Sequence, residues 1–247
     1  MITNEIKSLQ HPIVKHLVKL RKEKHYRLEK KAVLLEGKKM ISEYRGPITM
    51  LLTSESPLSH PNIREIVNVS YNIIEKIAAT PSPEPYLAEV PLPKWQSLKG
   101  KKRLLALDGV SDPGNLGTLL RSALAFGFEG VFLTSNSADP FSPKALRAAK
   151  GATFLLPLMW GPEEELLTLI EEEQLIPLVA DASGSSWPPS SAPFILILGN
   201  ESSGPSPSFI EKGTLLSIPI AKETESLNVA IAGSILMHKL QESAWTI

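Results

Sequence analysis

The sequence predicts an α/β protein in two parts: a small N-terminal α/β domain over residues 1–94 and a larger C-terminal domain over residues 100–247 with a mostly parallel sheet. Three observations predict this. From residue 103 onward, apolar runs of strand length alternate with stretches of helical period. Those runs lack a clean apolar/polar alternation, the mark of strands covered on both faces. Between the two parts, Thr80 to Pro93 holds five prolines in fourteen residues. That density denies both helix and central strand and reads as a linker.

Taken in order, residues 12–30 predict one helix. Pro12 suits its first turn, and Ile13, Leu17 and Leu20 recur at helical spacing. Ala32–Glu36 reads as a strand, followed by Gly37 and a helix to about Tyr44. Ile48–Thr53 and Ile66–Val69 read as strands, Tyr71–Ala79 as a helix, and Tyr86–Val90 as a short strand inside the proline-rich segment. In the second part the expected strands are Leu104–Leu107, Val131–Thr134, Phe154–Leu158, Pro177–Ala180, Phe194–Leu198 and Leu215–Ile218. The expected helices are Asn115–Phe126, Pro143–Lys150, Glu163–Glu173 and Ser226–Gln241, the last capped by Ser226. The Ser/Pro run Ser183–Pro193 reads as a surface loop.

Composition excludes whole classes of chemistry. The chain has no cysteine, so disulfides, thiolate zinc sites, iron–sulfur clusters and cysteine nucleophiles are out of the question. No apolar run reaches membrane-spanning length and no leader pattern opens the chain, so a soluble, cytoplasmic protein is expected. Lys plus Arg balance Asp plus Glu at 26 each, yet residues 1–39 hold 11 Lys and Arg against 4 Glu. Lys19, Arg21, Lys22, Lys24 and Arg27 form the densest part, beside His16, His25 and Tyr26. Such a helix is either a solvated face or a set of phosphate contacts.

Three strand-end loops carry the candidate chemistry. Leu107 to Gly127 runs from a strand through a Gly/Pro/Asp/Asn loop into a helix bearing Asn115 and, six residues on, Arg121. Arg121 among leucines reads either as a ligand group or as a solvent-facing arginine. Ile195 to Ser206 ends four apolar residues in the turn Gly199-Asn-Glu201, where Glu201 is either a site carboxylate or an exposed one. Ile218 to Leu240 leads through a polar loop to Ser226, Leu227 and Asn228 at a helix start, where unpaired amides are available to a ligand. Loops at the carboxyl edge of a parallel sheet are where such folds place ligands. Neither a dinucleotide fingerprint nor a Gly-Lys-Ser/Thr phosphate loop is present. Beyond residue 100 the only histidine is His238, late in the last helix, which argues against a histidine base.

In their order, the stretches 108–127, 199–206 and 218–230 resemble the three motifs of the TrmH/SpoU group of the SPOUT superfamily. These are S-adenosylmethionine-dependent RNA ribose 2′-O-methyltransferases. The basic helix leading into Val33-Leu-Leu-Glu-Gly-Lys-Lys-Met-Ile41 resembles that group's N-terminal substrate-binding domain. The resemblance implies a trefoil knot in the C-terminal domain and an L30e-like N-terminal domain. It implies S-adenosylmethionine bound against Gly199, Ile218 and Leu227, and catalytic roles for Asn115, Arg121, Glu201, Ser226 and Asn228. It further implies a homodimer and an RNA substrate, ribosomal rather than transfer RNA. The sequence shows no metal-ligand cluster, and the displacement needs none. The chain departs from the group's pattern at Gly109, Pro205, Lys222 and Ala230.

Overall fold

A computed structural model describes residues 2–184, 192–224 and 226–242. Most of the loop expected over Ser183–Pro193 lies outside them. The chain forms two units, Met1–Lys94 with Phe141–Leu146, and Trp95–Pro140 with Arg147–Ile247. No helix among the described residues is long and apolar enough to cross a membrane.

The first unit contains β1 (Ile2–Ile6), α1 (Pro12–Lys22), α2 (Lys24–Lys30), β2 (Ala32–Glu36), α3 (Lys38–Glu43), β3 (Met50–Thr53), β4 (Ile66–Val69), α4 (Tyr71–Ile77) and β5 (Tyr86–Pro91). Its strands form one mixed sheet in the order β1-β4-β3-β5-β2. Val14, Leu17 and Leu20 of α1 meet Ile73, Ile74 and Ile77 of α4 and the sheet residues Leu34, Leu52 and Val67, all buried. The single helix expected over 12–30 is broken at Glu23, whose backbone is extended (φ −114°, ψ 111°). The apolar spacing that supports α1 stops at Leu20, and five polar residues follow it, so a straight continuation would bury nothing. The break turns Arg27 inward, where Nη1 donates to the carbonyls of Leu20 (2.6 Å) and Arg21 (3.1 Å). Strand β1 was not expected; it is a short partner of β4 with no local signature strong enough to mark it.

The second unit contains β6 (Arg103–Leu107), α5 (Pro113–Ala125), β7 (Gly130–Thr134), β8 (Leu158–Gly161), α7 (Glu163–Glu172), β9 (Ile176–Ala180), β10 (Phe194–Leu198), α8 (Pro207–Lys212), β11 (Thr214–Leu216) and α9 (Val229–Glu242). Helix α6 (Pro143–Ala149), before β8, is divided between the units, with Pro143–Leu146 in the first. Every pairing in its six-stranded sheet, ordered β11-β9-β10-β6-β7-β8, is parallel. From β6 the chain builds outward through β7 and β8, then crosses back to β9, β10 and β11 on the other side. The order therefore reverses between β6 and β10, and a crevice opens at their carboxyl ends. One face of the sheet packs Ala106, Phe132, Ile195 and Ile197 against Leu166 and Leu169 of α7 and Phe209 of α8. On the other, α5 and α9 lie together, joined by a Ser122 Oγ to Ser234 Oγ bond of 2.7 Å.

Of the expected boundaries in this unit, two move most, while the strand expected to reach Ile218 ends at Leu216. Phe154 lies in a 3-10 turn (Ala152–Phe154), and the strand begins only at Leu158, after Pro157. Gly151 at φ 89° and Lys150 at φ 49° force the chain to reverse there, and an apolar run alone does not distinguish a buried turn from a strand. Helix α9 begins at Val229 rather than Ser226. Its cap is Asn228, whose Oδ1 accepts from the amides of Ala230 (2.9 Å) and Ile231 (3.3 Å). Asn and Ser are near-equal caps, so the sequence does not choose between them. Helix α8 was also unforeseen.

Candidate active site at the sheet's carboxyl edge

The loop after β6 leaves the sheet through Asp108, which is buried and bonded at its amide to the carbonyl of Leu198 (2.8 Å). Gly109 follows at φ 71°, the left-handed region that glycine enters without cost and that asparagine also tolerates. The departure at this position therefore keeps the backbone the turn needs. The Gly109 amide donates to Thr134 Oγ1 (2.9 Å) and Ser137 Oγ (3.1 Å). Helix α5 then starts at Pro113, with Asp112 as its cap accepting from the Asn115 amide (2.9 Å). Asn115 thus lies in the first turn, two residues inside the helix rather than at its start.

The loop after β10 approaches this one from the neighbouring strand. Gly199 packs against its own loop so tightly that an added Cβ would lie 2.1 Å from the Pro205 nitrogen and 2.3 Å from the Gly204 carbonyl carbon. Asn200 donates from Nδ2 to the carbonyl of Gly109 (2.8 Å) and accepts at Oδ1 from the amides of Ser202 (2.9 Å) and Ser203 (3.2 Å). Asp108 accepts from the Ser206 amide (2.7 Å). Both Asp108 and Asn200 tie the two loops together, and neither is among the candidate residues that the sequence points to. The signal is present: each is a short polar side chain within two residues of the end of an apolar strand.

Glu201 carries the densest set of bonds. Its Oε2 accepts from the Ser111 amide (3.1 Å) and hydroxyl (2.9 Å). Its Oε1 accepts from the Asp112 amide (3.2 Å) and from Asn115 Nδ2 (3.0 Å). Burial raises its pKa, but the bonds from Asn115, Ser111 and Asp112, with one from its own backbone, outweigh burial and bring it down from 4.5 to about 2. Asn115 in turn accepts at Oδ1 from Asn228 Nδ2 (3.0 Å), and Asn228 caps α9. One hydrogen-bonded chain, Glu201 to Asn115 to Asn228 to the start of α9, therefore joins all three strand-end loops.

Beside this chain lies a cavity of about 390 Å³ over the carboxyl ends of β9, β10 and β11. Gly199, Ile218 and Leu227 all line it, and so do Glu201, Ser226 and Asn228. This volume lies within the usual range for a small-molecule site. Asn115 reaches the lining only through its two partners. Arg121 stands apart: it is exposed on α5, nearly two turns beyond Asn115, with no hydrogen bond or ion pair among the described residues. Lys222 is exposed, has no left-handed backbone and does not line the cavity, so this departure leaves the cavity wall unchanged.

The basic residues of the first unit divide. Lys19, Lys22 and Lys24 are exposed, and Lys19 and Lys30 each sit 5.4 Å from the ring centre of Tyr26. Arg21 is half-buried and donates to the carbonyl of Ala78 at the end of α4. Arg27 corrects the expectation of a phosphate contact: it is 4% exposed and closes the end of α1.

Residues 102–238 match the SpoU rRNA Methylase family, and residues 11–88 match the MRM3-like substrate binding domain. The chain belongs to the SpoU rRNA Methylase family. It is 34% identical to an uncharacterized tRNA/rRNA methyltransferase of Synechocystis sp., over 97% of this chain and 94% of that one. It is 30% identical to the 23S rRNA (guanosine(2553)-2′-O)-methyltransferase of Bacillus subtilis, over 96% and 99%. An AdoMet-bound rRNA methyltransferase from Sinorhizobium meliloti superposes with a TM-score of 0.84 at 27% identity, covering 98% of both chains. The three loops joined by Glu201, Asn115 and Asn228 thus sit in a methyltransferase fold.

Proposed function

We propose that this SpoU family member transfers the methyl group of S-adenosylmethionine to the 2′-hydroxyl of a ribose in ribosomal RNA. The observation that carries the proposal is the cavity at Gly199, Ile218 and Leu227 placed directly against the Glu201–Asn115–Asn228 chain. The donor supplies an electrophilic methyl on a positively charged sulfur. The chain's own task is alignment and help with the hydroxyl proton. Gly199 keeps the cavity wall at backbone level, and Glu201, permanently ionised above pH 5, clamps the loop after β6. With both ends of the Asn115 amide engaged, Asn115 and Asn228 act as positioning residues, and the exposed Ser226 hydroxyl is available to ligand. Arg121 holds an RNA phosphate and favours an alkoxide-like oxygen electrostatically. His238 lies against Phe126, ring centres 5.5 Å apart, late in α9 and outside the cavity lining, which supports a mechanism without a histidine base.

The oligomer belongs to the same proposal. Leu124 (37% exposed) on α5 and Ile231 (54%) and Ile235 (40%) on α9 are apolar side chains left open on two helices that pack together. A second copy covering them would form a homodimer, with Arg121 three residues from Leu124 beside the interface. We read the segment from β11 to α9 as the knotted part of the fold and the first unit as L30e-like. That unit would bind RNA through Lys19, Lys22 and Lys24, in the cytoplasm. Calorimetric titration with S-adenosylmethionine tests the proposal: one site per chain is expected, and a flat trace both with and without ribosomal RNA would refute it.

A further inference from the structure

Among the described residues, the charged side chains lining the cavity are two carboxylates, Asp181 and Glu201, with no Lys, Arg or His beside them. Glu201 has both oxygens fully engaged, two donors on each. Asp181 is different. It lies half-buried just past the end of β9, fixed by its amide to the carbonyl of Leu216 (3.0 Å). Its Oδ1 accepts from the amide (2.8 Å) and hydroxyl (2.5 Å) of Ser183, while Oδ2 has no hydrogen bond among the described residues. The Ser183 hydroxyl, and after it the Ser183 amide, hold the Asp181 carboxyl below the usual aspartate range, so it is ionised at neutral pH. The start of α9, which also lines the cavity, is already muted because Asn228 Oδ1 takes the amides of Ala230 and Ile231.

We propose that Asp181 makes the donor cavity charge-selective, favouring a cationic methyl donor over the neutral thioether that remains after transfer. The inference rests on the methyltransferase reading and adds to it a residue that sets ligand preference. In the transfer, the bond between sulfur and methyl breaks with its electron pair left on sulfur, and a bond from the ribose oxygen to methyl forms. The hydroxyl proton leaves to solvent. The sulfur changes from a cation to an uncharged thioether, so the carboxylate loses its counter-charge when the reaction is complete. Asp181 lines the cavity, so a charge bound beside it lies within about one Debye length. Attraction over such a distance, in a medium between protein and water, corresponds to about a tenfold preference. Donor is held and spent donor is let go.

The rival reading is that Asp181 merely staples the loop 181–184. Asp181→Asn separates the two, because its remaining Oδ1 can still accept from Ser183 while the charge is gone; Asp181→Glu keeps the charge. Three ligands would be titrated into each protein: S-adenosylmethionine, an analogue with an ammonium group in place of the methylsulfonium, and S-adenosylhomocysteine. Asp181→Asn is expected to weaken both cations about tenfold and the neutral thioether less than twofold, with Asp181→Glu keeping the wild-type order. Equal weakening of all three, or no change, would overturn the inference. No binding of any of the three to the wild-type protein would instead refute the donor cavity itself, and this inference with it.

Discussion

Glu201→Gln is the perturbation on which the site's architecture depends most directly. Ser111, Asp112 and Asn115 donate four hydrogen bonds to the carboxylate, two at each oxygen. Glutamine keeps the shape but offers one accepting oxygen and one donating nitrogen. Whichever way the amide turns, it faces two donors with a donor, so two bonds are lost and two groups repel. Hydrogen bonds to a charged acceptor contribute about 1.5 to 3 kcal/mol each when buried. Glu201 is exposed, so solvent screening brings the combined loss down to about 2 kcal/mol. Function should suffer more than stability, because the loop after β6 carries Asn115 and leads to Arg121, and a small misplacement can cost about 100-fold in rate. The assay combines urea unfolding, donor titration and methyl transfer on the same preparation. The expected pattern is a lower unfolding midpoint, donor affinity within tenfold of wild type, and transfer reduced about 100-fold. The pH dependence gives an internal check. The folded pKa of about 2 lies below the ordinary 4.5, so the carboxylate's contribution is fully present above pH 4.5 and is lost as pH falls toward 2. The stability gap between wild type and Glu201→Gln should be flat above pH 5 and close through that window. A variant as stable and as active as wild type would refute the reasoning.

Four further outcomes follow from the same geometry. Asn115→Ala and Asn228→Ala share one hydrogen bond, so their effects on unfolding should be non-additive by about 1 kcal/mol in a double-mutant cycle; strict additivity would deny that the bond forms. Gly199→Ala places a methyl group where the Pro205 backbone already is, and should cost about 3 kcal/mol and abolish donor binding; a well-folded, donor-binding variant would show that the wall can yield. Arg121→Ala should eliminate transfer while leaving donor affinity within about twofold, since Arg121 does not line the cavity, and retained transfer would remove it from the mechanism. Replacing Lys19, Lys22 and Lys24 with Glu should weaken RNA binding and lower the slope of log affinity against log salt by about 2 to 3; an unchanged slope would place the RNA elsewhere.

The parallel sheet was legible because Leu104–Leu107 and Phe194–Leu198 are uninterrupted apolar runs, and burial on both faces needs nothing more. The cavity residues Gly199, Ile218 and Leu227 were legible through the family's motifs, not through their own chemistry. What stayed hidden depends on contacts between distant segments. Ser226 and Asn228 are equally good caps, and only the bond from Asn228 to Asn115 decides between them. Arg27 reads like its basic neighbours, yet the break at Glu23 turns it inward, and no local pattern signals that turn. Phe154 looked like a strand residue because a buried 3-10 turn and a buried strand have the same composition. Asp181 drew no notice as a single carboxylate after a strand, and only the cavity gives it a meaning.

The central claim is transfer to a ribose hydroxyl, and the most direct measurement follows the label. The protein would be incubated with ribosomal RNA and S-adenosylmethionine carrying a tritiated methyl group, and the RNA hydrolysed in alkali. A 2′-O-methyl group blocks cleavage at its own nucleotide, so the account predicts label in alkali-resistant dinucleotides. Label in mononucleotides, or none incorporated into RNA, would contradict it.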